Sequence, residues 1–93
     1  MKRKIDPLLS KWKEKGEKMW GKKCEICEAI EYIQGHHFYP YKKYKSLRYE
    51  PLNYIPLCRK HHFKLEKLKE FDIIYQIIIN RGMKWLKELR KKL

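Results

Sequence analysis

Hydrophobic residues recur at helical spacing at both ends of the chain. Asp6 followed by Pro7 is a typical helix start, because aspartate caps a helix and proline suits its first turn. The apolar residues that follow predict a helix over about residues 7–20. Near the other end, Asn80-Arg81-Gly82 is a helix-ending signal. A last amphipathic helix is predicted from the spacing of Met83, Leu86, Leu89 and Leu93.

The middle of the chain has strand character in two places. Residues 29–38 mix apolar and polar positions in near alternation, which predicts a short strand, and residues 54–57 predict a second one. Residues 39–53 show no dominant period and contain prolines and tyrosines, so we expect an ordered loop held by tyrosine packing. A helical pattern begins at Arg59. Its continuation through residues 71–78 is ambiguous, because the isoleucines there are β-branched.

The composition limits how much core the fold can have. The chain of 93 residues is one domain's worth, and a domain of this size buries only about 60–65% of the surface of its unfolded chain. Hydrophobic residues make up 43% of the sequence and charged residues 38%. We therefore expect a single domain over residues 1–93 with a thin core, which an additional staple such as a metal ion would help to stabilise.

The charge is strongly one-sided. Lysine and arginine total 24 against 11 acidic residues, a formal net charge of +13. Such an excess indicates an anionic partner, and nucleic acid is the leading candidate, because cations gain affinity by releasing counterions from a phosphate backbone. A merely lysine-rich soluble surface explains single exposed lysines but explains this imbalance poorly.

The sequence predicts an intracellular, cytoplasmic protein. The basic N-terminus lacks the apolar stretch of a signal peptide. The longest apolar run, over residues 73–79, is far shorter than the roughly 20 residues that span a bilayer, so no membrane segment is expected. Three cysteines, an odd number, fit metal-bound thiolates in a reducing compartment better than closed disulfides.

Two ligand pairs predict a structural zinc site. Cys24 and Cys27 are separated by two residues, as are Cys58 and His61, and this spacer lets both side chains of a pair reach one ion. Together they form a Cys₃His set that satisfies tetrahedral zinc. A redox role for the first pair would require a helix start within a βαβ unit, which the sequence does not supply.

Four segments, "CEIC", "GHHFYP", "LNYIPLC" and "CRKHH", occur in an order that resembles the HNH endonucleases, also known as His-Me finger or ββα-metal nucleases. The resemblance covers about residues 24–67. It implies an α+β fold, in which a zinc-stapled ββα-metal core is flanked by an N-terminal helix over about residues 7–20 and C-terminal helices over about residues 70–92.

The resemblance implies roles for four residues. His37 matches the general base, and an imidazole is well suited to accept a proton near neutral pH. His36 and His62 match ligands of a catalytic divalent ion. Asn53 matches a residue that either contacts this ion or organises the loop. His36 stands where the family often has a carboxylate, and two imidazoles would favour Mn²⁺, Co²⁺, Ni²⁺ or Zn²⁺ over Mg²⁺.

His36 and His37 pose a geometric problem, since adjacent strand residues point to opposite faces. For both to serve one site, the strand must twist, bulge or end there. Gly35, just before the doublet, is expected to allow such a distortion.

The resemblance implies a metal-dependent DNA endonuclease or nickase that yields 5′-phosphate and 3′-hydroxyl products, and we expect it to act on double-stranded DNA as a monomer or homodimer. The alternative is a non-catalytic, zinc-stabilised nucleic-acid-binding module. Restriction, homing and phage DNA processing stay open as roles, and a phage or mobile-element gene fits them. Nucleic-acid contacts are predicted at Lys42, Lys43, Lys45, Arg48 and Arg59.

Overall fold

A computed structural model describes residues 6–93, and over these residues the chain has an α+β architecture of four α-helices and one two-stranded antiparallel sheet. Short 3₁₀ turns lie at Lys45–Leu47 and Pro51–Asn53. None of the helices described is long and apolar enough to cross a membrane. The elements in chain order are α1 Pro7–Trp20, β1 Ile33–His37, β2 Tyr54–Cys58, α2 Arg59–Glu66, α3 Asp72–Arg81 and α4 Met83–Arg90.

The first helix begins and ends as its sequence predicts. The Asp6 carboxylate accepts a hydrogen bond from the Leu8 amide at 2.9 Å, and Pro7 occupies the first turn. The helix ends at Gly21, whose φ of 91° is a conformation that glycine adopts without a steric penalty. Trp12 and Gly16 are its buried residues, so these two positions face the rest of the protein.

The sheet is regular, and the predicted distortion at Gly35 is wrong. Ile33 to His37 pair in unbroken register with Cys58 to Tyr54, and no residue is left over as a bulge. A Cβ added at Gly35 would lie 2.7 Å from Cε1 of Tyr54 and 3.3 Å from Trp12. Gly35 is therefore required for the close approach of α1 and Tyr54 to the strand, and β1 is shorter than the predicted 29–38 segment.

A break after α2 resolves the ambiguity of the isoleucine-rich segment. The helix ends at Glu66, Lys69 has a positive φ of 55°, and a new helix, α3, begins at Asp72. Ile73 and Ile77 are its buried residues. Gly82, with a φ of 87°, ends α3 and leads directly into α4, as the helix-ending signal predicts.

Three tryptophan indoles hold the loop before β2. Trp12 donates to the Glu50 carbonyl at 2.9 Å, Trp20 to the Pro51 carbonyl at 3.0 Å, and Trp85 to the Leu52 carbonyl at 2.8 Å. Tyr39 and Tyr44 also pack edge to face in this region, as expected. The helices at the two ends of the sequence thus fix three consecutive carbonyls beside the candidate site. Below them lies a core that includes Leu47, Ile55, Leu57, Leu65, Ile77 and Leu89.

Candidate metal centres and catalytic cleft

The four predicted zinc ligands come together. The ligand atoms of Cys24, Cys27, Cys58 and His61 all lie within 4.8 Å of one another, so these residues are positioned to hold a metal ion. The Sγ atoms of Cys27 and Cys58 are 3.7 Å apart, and Cys24 Sγ lies 3.7 Å from His61 Nδ1. Tetrahedral zinc with Zn–S bonds of about 2.3 Å places neighbouring sulfurs roughly 3.8 Å apart. The separations therefore fit a tetrahedral ion.

The surroundings of Cys58 favour its thiolate form. Burial alone would raise its pKa, but hydrogen bonds from the backbone and side chain of His61 and from the other two cysteines outweigh that effect and lower the pKa to about 6. Metals bind the thiolate rather than the thiol. Cys58 directly precedes α2, and His61 lies in the first turn of that helix. The start of the helix therefore brings both side chains to the same point, where they could bind one ion.

A clamp from α3 holds the turn that carries Cys24 and Cys27. The Glu25 amide donates to the Pro56 carbonyl of β2 at 2.8 Å. The Glu25 carboxylate accepts hydrogen bonds from Arg81 at 2.7 and 3.2 Å, and the Arg81 guanidinium lies over the Trp20 ring at 3.7 Å. The sequence indicated only a helix-ending role for Arg81, because nothing local links it to a residue so far away in the chain.

A second cluster of possible metal ligands consists of His36, His62 and Glu66, whose ligand atoms also lie within 4.8 Å of one another. His36 Nδ1 is 3.0 Å from the Glu66 carboxylate, and His62 Nε2 is 3.9 Å from the same oxygen. Sequence reasoning missed Glu66. Its spacing of four residues from His62 on a predicted helix was the available signal, because residues four apart share one face.

His36 is held in the form that binds metals. Burial lowers its pKa to about 4, against the opposing effect of the Glu66 carboxylate. The imidazole is therefore neutral near pH 7 and can donate a lone pair to an ion. Glu66 adds a negative oxygen ligand, so the set is less soft than the two imidazoles expected from the sequence, and it suits Mg²⁺ or Mn²⁺ better.

His37 lies on the other face of β1, stacked on Trp12 with ring centroids 3.9 Å apart and planes 4° from parallel. Its Nε2 is 2.9 Å from the Arg48 carbonyl oxygen. A carbonyl oxygen only accepts hydrogen bonds, so Nε2 carries the hydrogen and Nδ1 keeps its lone pair. Burial also lowers the pKa of His37 below its ordinary value. The ring is thus fixed in position and in a tautomer that can accept a proton.

Both histidines of the doublet line one cleft of about 330 Å³. This is possible because the cleft lies where β1 ends, at His37, so side chains from both faces of the strand reach it. The ending of the strand, and not a distortion at Gly35, brings the two residues together. The cleft is also lined by Pro40, Tyr41, Lys42, His62 and Glu66.

Asn53 is fully buried, and its side-chain amide forms hydrogen bonds with backbone groups. Its Oδ1 accepts from the Tyr39 amide at 2.8 Å, while its Nδ2 donates to the Tyr39 carbonyl at 3.0 Å and the Leu47 carbonyl at 3.3 Å. Of the two roles that the resemblance implies, this arrangement favours holding the loop over contacting an ion.

Replacing Asn53 by alanine should destabilise the fold by about 2–4 kcal/mol, because three backbone groups, one buried and two partly buried, lose their partner. Urea unfolding followed by circular dichroism measures the difference. Asn80→Ala is the matched control: Asn80 is exposed and donates one hydrogen bond, to the Glu25 carbonyl, so a loss below about 1 kcal/mol is expected. A wild-type unfolding midpoint for Asn53→Ala would contradict the loop-holding role.

The predicted nucleic-acid contacts divide into two groups. Lys42, Lys43, Lys45 and Arg59 are exposed, and Lys42 lines the cleft itself. Arg48 already has partners within the protein. Its guanidinium lies 3.2 Å from the Asp6 carboxylate and over the rings of Tyr41 and Tyr49. Its backbone carbonyl accepts the hydrogen bond from His37. Arg48 therefore positions the candidate base whether or not it also contacts a phosphate.

Comparison with protein-family models, curated proteins and solved structures finds no match to this chain.

Proposed function

We propose that this protein is a metal-dependent DNA endonuclease or nickase of the HNH type, with a ββα-metal core formed by β1, β2 and α2. The observation that carries the proposal is the meeting in one cleft of His37, fixed in a proton-accepting tautomer, with the His36, His62 and Glu66 cluster. A base beside a set of metal ligands is the equipment that phosphodiester hydrolysis requires.

His36, His62 and Glu66 would hold the catalytic ion. When bound, a divalent ion there supplies positive charge to offset the charge that builds on the phosphoryl and leaving oxygens. Mg²⁺, Mn²⁺, Co²⁺, Ni²⁺ and Zn²⁺ are all compatible with two imidazoles and one carboxylate.

His37 is the general base. Its Nδ1 takes a proton from water as the water oxygen bonds to phosphorus and the bond from phosphorus to the 3′ oxygen breaks. The 3′ oxygen leaves with the bonding electrons and takes a proton from solvent, which gives a 5′-phosphate and a 3′-hydroxyl. The Arg48 carbonyl and the Trp12 ring position this imidazole, because one fixes the hydrogen on Nε2 and the other fixes the ring plane. Trp12 is thus a positioning residue.

The Cys₃His cluster would hold zinc as a structural ion, since four soft or borderline ligands close its coordination sphere and leave no open position for a substrate. The exposed lysines near the cleft would bind duplex phosphates, so affinity should fall as salt rises. One cleft cuts one strand per encounter. Cleavage of both strands would require a second copy or a second binding event.

The second candidate is a non-catalytic nucleic-acid-binding module stabilised by zinc. Metal binding by the Cys₃His cluster and the net charge of +13 do not depend on His37, so both would serve a binding protein that has no catalytic base. The two functions differ in what they require of His37, which the nuclease needs and the binding module does not.

Replacing Glu66 by glutamine should raise the concentration of divalent ion needed for half-maximal plasmid nicking by roughly tenfold or more, because the anionic ligand is lost while the side-chain shape is kept. Glu70→Gln removes the same charge from an exposed position after α2 and controls for general effects on DNA binding. Equal ion requirements for the two variants would exclude Glu66 from the catalytic centre.

A further inference from the structure

Two further clefts lie beside the catalytic cleft, around α2. A cleft of about 300 Å³ shares His62 and Glu66 with the catalytic cleft. It shares Arg59 and Phe63 with a third cleft, of about 550 Å³, that extends past the Cys₃His cluster. The shared lining residues place the three clefts side by side around α2, and together they are here called the α2 trough.

The far end of the trough is apolar and aromatic. Tyr32, Phe63 and Leu68 line it and are 72%, 53% and 55% exposed. Tyr32 also has a φ of 54°, a conformation that is uncommon for a bulky residue and that asparagine or glycine would adopt more easily. The exposed ring contributes little to the core and its backbone is strained, so folding does not account for a tyrosine at this position.

Four cations and one carboxylate lie around these rings. Glu31 supplies the carboxylate and lines the same cleft. The cations Arg59, Lys60 and Lys64 also line it, and Lys67 lines its neighbour. None of these four forms an ion pair with any residue between 6 and 93. Lys60 and Lys64 are four apart on α2, a like-charge spacing that destabilises an isolated helix slightly. Exposed rings between unpaired cations fit a nucleotide, whose base offers a stacking face and whose phosphate offers the charge.

We propose that the far end of the α2 trough binds an unpaired nucleotide of the nucleic acid, with its base stacked on Tyr32 and Phe63 and its phosphates against Arg59, Lys60 and Lys64. The proposal rests on the proposed function for one point, the phosphate to be cut, which lies at the other end of the trough. A base inside a duplex cannot present its face to these rings. The preferred substrate is therefore DNA with an unpaired stretch beside the cut, such as a gap, a flap or an overhang.

Equilibrium binding of a single-stranded oligonucleotide that contains 2-aminopurine tests the proposal, without added divalent ion, so that binding is measured apart from cleavage. Stacking should quench the fluorescence of the bound probe. Tyr32→Asn should weaken binding by about 5-fold to 100-fold and remove most of the quenching, and Phe63→Ala should do the same. Tyr32→Asn suits the left-handed backbone, so the variant should fold at least as well as the parent protein.

Two further variants complete the test. Tyr32→Phe keeps a ring and should retain the quenching. Tyr75→Ala removes a tyrosine of similar exposure, 66%, from α3, outside the trough, and should bind the probe as the parent does. Parent-like binding and quenching by both Tyr32→Asn and Phe63→Ala would overturn the proposal and leave this apolar surface to a protein partner.

The same measurements separate this proposal from the nuclease. If the protein nicks plasmid DNA but does not quench the probe, the trough proposal is wrong and the nuclease proposal stands. If quenching depends on Tyr32 and Phe63 but no DNA is nicked, base binding is supported and the nuclease proposal is wrong.

Discussion

Substitution of His37 by alanine is expected to reduce nicking of supercoiled plasmid DNA by about 10²-fold to 10⁴-fold, the usual contribution of a positioned general base. The reason is that no other neutral imidazole in the cleft is free to act as the base, because His36 and His62 lie with Glu66 in the candidate metal cluster. The measurement is the rate of conversion of supercoiled to nicked plasmid with added Mg²⁺ or Mn²⁺, for the purified parent protein and the variant.

His37→Gln is the matched variant, because an amide can still donate to the Arg48 carbonyl and lie against Trp12 but is not a base at neutral pH. Its thermal unfolding and its affinity for DNA should remain near those of the parent while its nicking rate falls. If the parent and both variants show the same background with every metal tried, the nuclease proposal fails and the non-catalytic zinc module takes its place.

Loss of a metal ion from the Cys₃His cluster is expected to unfold the protein. Metal binding contributes about 10–16 kcal/mol to the folding of small zinc domains, whereas a whole domain is stable by only about 5–15 kcal/mol. Cys24→Ser should therefore lose helical circular dichroism and cooperative thermal unfolding, and a strong chelator should do the same to the parent protein. Atomic absorption on the purified proteins should give about one zinc ion per parent chain and much less for the variant.

Glu66→Gln is the control for this experiment, because it alters the second cluster and leaves the four Cys₃His ligands intact. It should keep its zinc and unfold like the parent. A Cys24→Ser variant that folds and unfolds like the parent without bound metal would show that the cluster is not a structural metal site. The large expected effect follows from the thin core, since a metal ion held by the cluster would join the turn before β1 to the start of α2 across a long stretch of chain.

The local elements of the fold were predictable, because their signals lie within a few residues of the structures they specify. Asp6 and Pro7 begin α1, and Gly82 separates α3 from α4, through backbone chemistry that depends on immediate neighbours. The ligand pairs were predictable for the same reason: a two-residue spacer brings two side chains to one ion whatever surrounds them. The convergence of Cys24, Cys27, Cys58 and His61 confirms that reasoning.

Other features were not predictable because they depend on contacts between distant segments. The predicted strand distortion at Gly35 is wrong, since only the packed structure reveals that Tyr54 and Trp12 occupy the space of its missing side chain. Glu66 was in reach of helical spacing, but its approach to His36 depends on how α2 packs against β1. The break between α2 and α3 was ambiguous, because β-branched isoleucines satisfy more than one periodicity.

The sequence by itself determined α1, α4, the start of α2, the positions of the two strands and the four residues that can hold a metal ion, because caps, periodicity and ligand spacing act over a few neighbouring residues. Only the tertiary structure decided the state of the candidate base. The tautomer and orientation of His37 depend on Trp12 from α1 and on the Arg48 carbonyl, which lie 25 and 11 residues away in the chain. Such partners meet through packing, and no local pattern encodes them.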